Sequence, residues 1–206
     1  MLSKYKTITI CGGEGSGKST YCNMLEKYMK KNDIDYLLTR EPGGTKIGED
    51  IRQVLLNKSN SNMCTETELL LFMASRSQHL KEKIIPAIKS NKLVIIDRFY
   101  LSSLVYQGYV RGFGVDNVWE LHKLSTNNFV VDLNIIIDIP PEVGLKRIKV
   151  NNRETNRLDE EEFEFHKKVR NGYLSLAKDD RFGKTIVING NKSIDNVFDD
   201  ILNAIF

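Results

Sequence analysis

The sequence predicts an α/β fold of three layers, with a central five-stranded parallel sheet and helices on both faces. Three observations predict it. Short apolar runs alternate with longer helix-patterned stretches, as strand–helix–strand units do. Leu93-Val94-Ile95-Ile96 and Ile135-Ile136-Ile137 are apolar at every position rather than every second one, which fits strands covered on both faces. Residues 12–19, Gly-Gly-Glu-Gly-Ser-Gly-Lys-Ser, match the phosphate-cradling pattern G-x-x-x-x-G-K-[ST], with a strand-like run before it and a helix-like segment after it.

The expected strands are Lys6–Cys11, Tyr36–Thr39, Leu93–Asp97, Leu133–Asp138 and Thr185–Ile188. The first helix is expected to begin near Lys18. Thr65-Glu66-Thr67-Glu68 reads as a capping box opening a helix that carries Leu70, Phe72, Met73 and Leu80. Asp159 is positioned to cap a long helix with Phe163, Val169, Tyr173 and Leu176 among its apolar positions. Ser193 is expected to cap the last helix, with Ile194, Val197, Ile201 and Ile205 inward. No repeat or Pro/Gly/Ser-rich linker divides the chain, so residues 1–206 read as one domain. Its one polar interruption is Asn151–Arg157.

Bulk properties narrow the function. A chain of 206 residues can bury one sizeable core. Thirty basic against 27 acidic residues is too even a balance to suggest a nucleic-acid or membrane surface. No apolar run approaches the ~20 residues of a membrane span. The first residues lack a signal-peptide core. Cys11, Cys22 and Cys64 have no C-x-x-C spacing, and His79, His122 and His166 are scattered, which argues against a disulfide framework or a zinc site. A reduced, cytoplasmic protein is expected.

Five segments carry the chemistry. In the P-loop, the glycines let the backbone wrap an anion closely, so that N–H groups and the helix N-terminus face it. Lys18 then reaches the β/γ-phosphates and Ser19 ligates Mg²⁺, implying a bound nucleoside triphosphate. Thr39-Arg40-Glu41-Pro42-Gly43-Gly44 follows the second strand, where open α/β sheets bind ligands. Arg40 there reads equally as an anion holder or as part of a surface turn. Phe72 and Arg76 lie four apart on one helix face. They could stack on and hydrogen-bond a base, or be a core Phe with a solvent-facing Arg. Asp97-Arg98-Phe99 ends a buried strand, and an acid there suits a nucleotide-bound Mg²⁺. Ser102, Ser103, Tyr106 and Gln107 follow. Arg147, Arg153 and Arg157 surround the polar interruption, which is either a lid closing over transferring phosphate or a solvated charge run.

Taken in order, these segments resemble the bacterial thymidylate kinases (dTMP kinases) over nearly the whole chain. The carriers are GGEGSGKST, TREPGGT at Thr39–Thr45, FMASRSQHL at Phe72–Leu80 and DRFYLSSLVYQG at Asp97–Gly108. They continue with IDIPPEVGLKRI at Ile137–Ile148 and RETNRLDEE at Arg153–Glu161. The resemblance implies a P-loop NTPase fold with a short lid at about 147–160, a homodimer, and the reaction of Mg-ATP with dTMP to give ADP and dTDP. It implies that Gly12, Gly13, Glu14, Gly15, Ser16, Gly17, Lys18, Ser19 and Thr20 cradle the ATP phosphates, with Arg147 beside adenine and Ser19 and Asp97 managing Mg²⁺. Glu14 would lie near the sugar 3′-hydroxyl. Arg40 and Arg98 would hold the dTMP phosphate, with Pro42 beside the acceptor. Phe72 would stack on thymine and Arg76 reach its O4. Ser103 and Gln107 would contact the base, and Tyr106 would crowd a ribose 2′-hydroxyl. Lys18, Arg98 and the lid arginines Arg153 and Arg157 would act on the transferring phosphoryl group. Two positions depart from the family pattern: Cys11 stands where an acid is usual, and Phe99 where a tyrosine is. A kinase for another deoxynucleotide or deoxynucleoside would keep the P-loop but need other base contacts. A P-loop switch protein would be expected to carry a guanine-specific Asn-Lys-x-Asp, which is absent from the sequence.

Overall fold

A computed structural model describes residues 3–150, 157–159 and 161–206. The strands β1 (Thr7–Cys11), β2 (Tyr36–Arg40), β3 (Leu93–Asp97), β4 (Leu133–Asp138) and β5 (Thr185–Asn189) form one parallel sheet in the order β2-β3-β1-β4-β5. All five lie where the apolar runs place them, within one residue at either end. The unalternating strands are central ones, with β1 buried throughout and β3 and β4 buried up to their terminal aspartates, whereas the edges β2 and β5 are only partly covered.

Helices cover both faces. Against one face pack α1 (Lys18–Lys31) and α9 (Ile194–Ile205), whose Leu25, Met29, Val197 and Ile201 meet Ile8, Ile10, Ile95 and Ile135. The other face meets α3 (Thr65–His79), α6 (Val115–Thr126) and α8 (Phe163–Leu176), where Leu69, Met73, Trp119 and Tyr173 pack with Val94, Ile96 and Ile136. The remaining helices are α2 (Lys46–Leu56), α4 (Ile85–Lys89), α5 (Tyr100–Ser103) and α7 (Pro141–Val150). Two π-helical turns, Leu80–Ile84 and Leu104–Val110, extend α3 and α5. From β1 the chain passes to β2 on one side, and from β3 it later crosses to β4 on the other, so the strand order switches at β1, and the crevice at that switch point is where a ligand fits.

Three helix-level expectations are corrected. The N-cap of α3 is Cys64, and Thr65 is already helical. The expected capping-box acid Glu68 does not fold back on the helix start, because its carboxylate is taken by Gln107 and Arg157. The helix α8 begins after Glu162, not at Asp159, which lies in a preceding turn. Ser193 does cap α9, accepting from the Asn196 N–H, but Ile194 in its first turn is exposed rather than inward. The described residues contain no helix long and apolar enough to cross a membrane.

Candidate active site

The ends of β1, β2 and β3 open onto one cleft of about 630 Å³. Its floor is the loop between β1 and α1. Gly12 sits at φ 146°, where a Cβ would lie 2.6 Å from the Ile137 carbonyl oxygen, and Gly15 at φ 70° would drive a Cβ into the Gly144 carbonyl. Only glycine fits either place. Lys18 begins α1 and folds its ammonium over the loop, donating to the carbonyls of Gly12 (3.1 Å) and Gly13 (2.7 Å) and to Ser16 Oγ (3.3 Å). Burial, and secondarily the nearby Arg98, pull its pKa down to about 8. Beneath the loop, the buried Cys11 turns its thiol to Thr9 Oγ1, and burial pushes that thiol's pKa up.

Ser19 Oγ donates to Asp97 Oδ2 at 3.2 Å. These two oxygens, one at the start of α1 and one at the end of β3, form a hard donor pair facing the phosphate cradle. Among the described residues no group of three or more His, Cys, Asp or Glu could hold a metal. Such a sparse oxygen set suits Mg²⁺, which keeps several waters and takes further ligands from substrate phosphates.

Arg98 follows Asp97 with a left-handed φ of 65°, a conformation rare for a residue with a side chain. It turns the guanidinium into the cleft. There Nη2 pairs with Glu14 Oε1 at 2.8 Å, while Nη1 donates to the hydroxyls of Tyr106 (3.2 Å) and Tyr173 (3.4 Å). Burial is the largest single influence on the Arg98 pKa and lowers it, but Glu14, Tyr106, Tyr173 and Asp97 together outweigh it and drive the pKa well up. Tyr106 also donates to Glu14, at 2.9 Å, and burial pushes its phenol well up, so it remains a neutral donor.

The segment after β2 makes the next wall. The Thr45 hydroxyl caps α2, accepting from the Gly48 N–H. Arg40 lines the cleft with Nη2 on Glu49 at 2.8 Å, and Pro42 lines it beside Arg40. Arg52, not singled out in the sequence, also lines the cleft from α2. Its Nη1 donates to the Pro42 carbonyl at 2.8 Å, and burial followed by Arg40 lowers its pKa. The signal for it was weak, a lone arginine seven residues beyond a turn.

Phe72 and Arg76 project from α3 toward the same cleft. The core-Phe, solvent-Arg alternative does not hold. Phe72 is only half-buried on the cleft wall, whereas Arg76 is 1% exposed. The Arg76 Nε donates to Glu41 Oε2 (2.8 Å), Nη2 donates to Ser103 Oγ (2.9 Å), and its guanidinium lies over the Phe99 ring. Behind it, Glu41 Oε1 meets His79 Nδ1 at 3.1 Å, and His79 Nε2 meets Thr39 Oγ1 at 2.7 Å. Because a carboxylate only accepts, Nδ1 carries a proton. Sequence reasoning missed both Glu41 and His79. Gln107, from the second π-helical turn, donates its Nε2 to Glu68 at 2.8 Å.

At the other end, Arg147 reaches from α7 to the Gly190 carbonyl at 3.2 Å and lines the cleft with Thr20, Lys192 and Ile194. Arg157 pairs with Glu68 and donates to the Leu55 carbonyl, and it is not among the residues lining the cleft. Arg153 and half of the expected lid, residues 151–156 and 160, lie outside the described residues.

One cleft thus joins a phosphate cradle to a pocket walled by an aromatic ring and a buried arginine. The sequence model of the family described as thymidylate kinase matches residues 10–201. The chain is 52% identical over 203 residues to a thymidylate kinase of Clostridium novyi (strain NT), covering 97% of this chain and 98% of that one. It is 48% identical to a thymidylate kinase of Geobacillus sp. (strain WCH70), covering 91% and 89%. The crystal structure of thymidylate kinase from Ehrlichia chaffeensis superposes with a TM-score of 0.76 at 28% identity, over 96% of this chain and 97% of that one. A continuous match at this identity, through every segment that builds the cleft, leads to one conclusion: the chain belongs to the thymidylate kinase family, and it is a phosphotransferase.

Proposed function

We propose that the cleft transfers the γ-phosphoryl group of Mg-ATP to the phosphate of dTMP, giving ADP and dTDP for dTTP synthesis. The observation that carries this reading is the position of Arg98. It is tied to the P-loop through Glu14 and to the base side through Tyr106, so it stands where two phosphate groups would meet.

Lys18 exchanges its loop carbonyls for donor phosphates, and the loop amides from Gly13 to Ser19 complete the cradle. Ser19 and Asp97 hold Mg²⁺, which when bound neutralises charge on the donor phosphates. Arg98 clamps the acceptor phosphate, with Arg40 and Arg52 at its outer side. Phe72 stacks on thymine, Arg76 meets its O4, and Ser103 and Gln107 contact the base. Glu14 lies near the 3′-hydroxyl, and Tyr106 leaves no room for a 2′-hydroxyl. Arg147 flanks adenine. Arg157 leaves Glu68 to join Arg153 on the phosphoryl group, and their closure excludes water. The acceptor phosphate is itself a nucleophile, so positioning and charge stabilisation suffice and no general base is required. The same reading includes a homodimer in the cytoplasm.

The test is a coupled ADP-release assay across nucleoside monophosphates. ADP should appear rapidly only with ATP plus dTMP. Equal release from ATP alone would indicate a hydrolase or switch, and a preference for dCMP or a nucleoside would move the acceptor assignment.

A further inference from the structure

Gln107 is 1% exposed, and its amide could in principle present either its nitrogen or its oxygen to the cleft. Its neighbour decides which. Nε2 donates to Glu68 Oε1 at 2.8 Å, and a carboxylate offers only acceptors, so the amide oxygen is the end left for a ligand. Glu68 is itself 1% exposed and is held from two further sides. Arg157 takes its Oε2, and the Nε of Arg111 lies 3.8 Å from Oε1 while its Nη2 pairs with Glu161. Arg111 remains beside Glu68 when Arg157 moves to the phosphoryl group, so a positive charge still keeps the carboxylate in place behind Gln107.

We propose that Glu68 is a positioning residue that sets the hydrogen-bond polarity of the base pocket by fixing the Gln107 amide. It acts as the counterpart of Glu41, which presents Arg76 as a donor. The pocket then offers a donor beside an acceptor. A 4-oxo pyrimidine with an N3–H matches both, whereas a 4-amino pyrimidine with a bare N3 opposes both. Glu68 itself touches no substrate atom. The proposal rests on the dTMP reading above and adds to it the residue that enforces one base edge.

Two measurements test it. The first uses the wild-type protein and N3-methyl-dTMP, in which a methyl group replaces the N3 hydrogen and both ring carbonyls are kept. Loss of that hydrogen bond should lower kcat/KM by about tenfold or more relative to dTMP, and turnover within twofold of dTMP would overturn the proposal. The second compares Glu68→Gln with the exchange variant Glu68→Gln/Gln107→Glu. With glutamine at 68 the Gln107 amide is free to turn. The dTMP-to-dCMP preference in kcat/KM should then fall about tenfold or more, with KM for dTMP rising and kcat little changed. In the exchange variant a carboxylate oxygen again faces the base, which should restore preference over the single variant. A single variant with unchanged preference, or an exchange variant no better than the single one, would also overturn the proposal. Wild-type protein that fails to turn over dTMP would instead sink the dTMP reading itself, so the two failures are distinguishable.

Discussion

The guanidinium of Arg98 and the carboxylate of Glu14, 84 residues apart in sequence, meet at 2.8 Å across the cleft. Glu14 is the acid inside the P-loop and Arg98 follows the strand-end aspartate, so this pair joins the donor half of the site to the acceptor half. The Tyr106 hydroxyl completes the triangle at 2.9 Å from Glu14 and 3.2 Å from Arg98. A side chain held by two charged partners cannot swing aside for a bulkier sugar.

Sugar and base selectivity should therefore differ in kind. Thymine and uracil differ by one methyl, worth only about 1–3 kcal/mol to a pocket, so dUMP should be a poor but real substrate. UMP should be far worse on the proposed placement of the sugar, in which Tyr106, held by Glu14 and Arg98, crowds its 2′-hydroxyl. Glu14→Gln loosens the triangle and should narrow the gap between dUMP and UMP. Equal steady-state turnover of UMP and dTMP by the wild type would remove both the assignment and the role of Tyr106.

Phe72→Ala and Arg76→Ala should separate stacking from hydrogen bonding. Loss of a half-buried ring removes roughly 1–3 kcal/mol of base stacking and should mainly raise KM for dTMP at unchanged thermal stability. Loss of Arg76 leaves the buried Glu41 carboxylate without its guanidinium. Breaking a buried pair from one side costs about 3–5 kcal/mol, so Arg76→Ala should lower Tm as well as weaken rejection of dCMP. Normal dTMP kinetics in both variants would return this helix face to simple packing.

Donor affinity should fall with pH above about 8. Burial first, and Arg98 second, depress the Lys18 pKa to about 8 in the free protein. A bound phosphate favours the ammonium form, so binding takes up a proton once the free lysine has lost its own. Calorimetric Kd values for ADP should weaken from pH 8 toward 9.5, by at most tenfold per pH unit, with proton uptake over the same range. A flat profile without proton uptake would contradict the placement of Lys18 against the phosphates.

On the proposed mechanism Arg153 and Arg157 should act on kcat more than on binding, since the charge they would answer develops in the transition state. A single arginine of this kind is worth about 10³–10⁵ in phosphoryl-transfer systems, and two sharing the task should each show less. Lysine should rescue poorly, because an ammonium cannot span two phosphoryl oxygens. Arg153→Ala, Arg157→Ala and the double variant, with ATP and dTMP affinities measured separately, test this. Near-normal kcat in the double variant would leave Lys18 and Arg98 to carry the chemistry.

The sequence by itself determined what contiguous residues determine. The strands lay in unbroken apolar runs, and the phosphate loop depends on backbone geometry that a few neighbouring glycines supply. Ser19 and Asp97 were legible because each ends a recognisable element. The support of the base pocket was not legible, because its pairs are remote: Arg76 meets Glu41 35 residues away, Gln107 meets Glu68 39 away and Arg157 meets Glu68 89 away. A helix pattern shows that Arg76 and Phe72 share a face but not that the arginine is buried, since its charge is tolerable there only once Glu41 arrives from the turn after β2. Glu68 was misread for the same reason, as a local cap when tertiary contacts claim its carboxylate. Local propensity fixes where elements begin and which face is apolar, while the partner of a buried charge is chosen only when the chain closes upon itself.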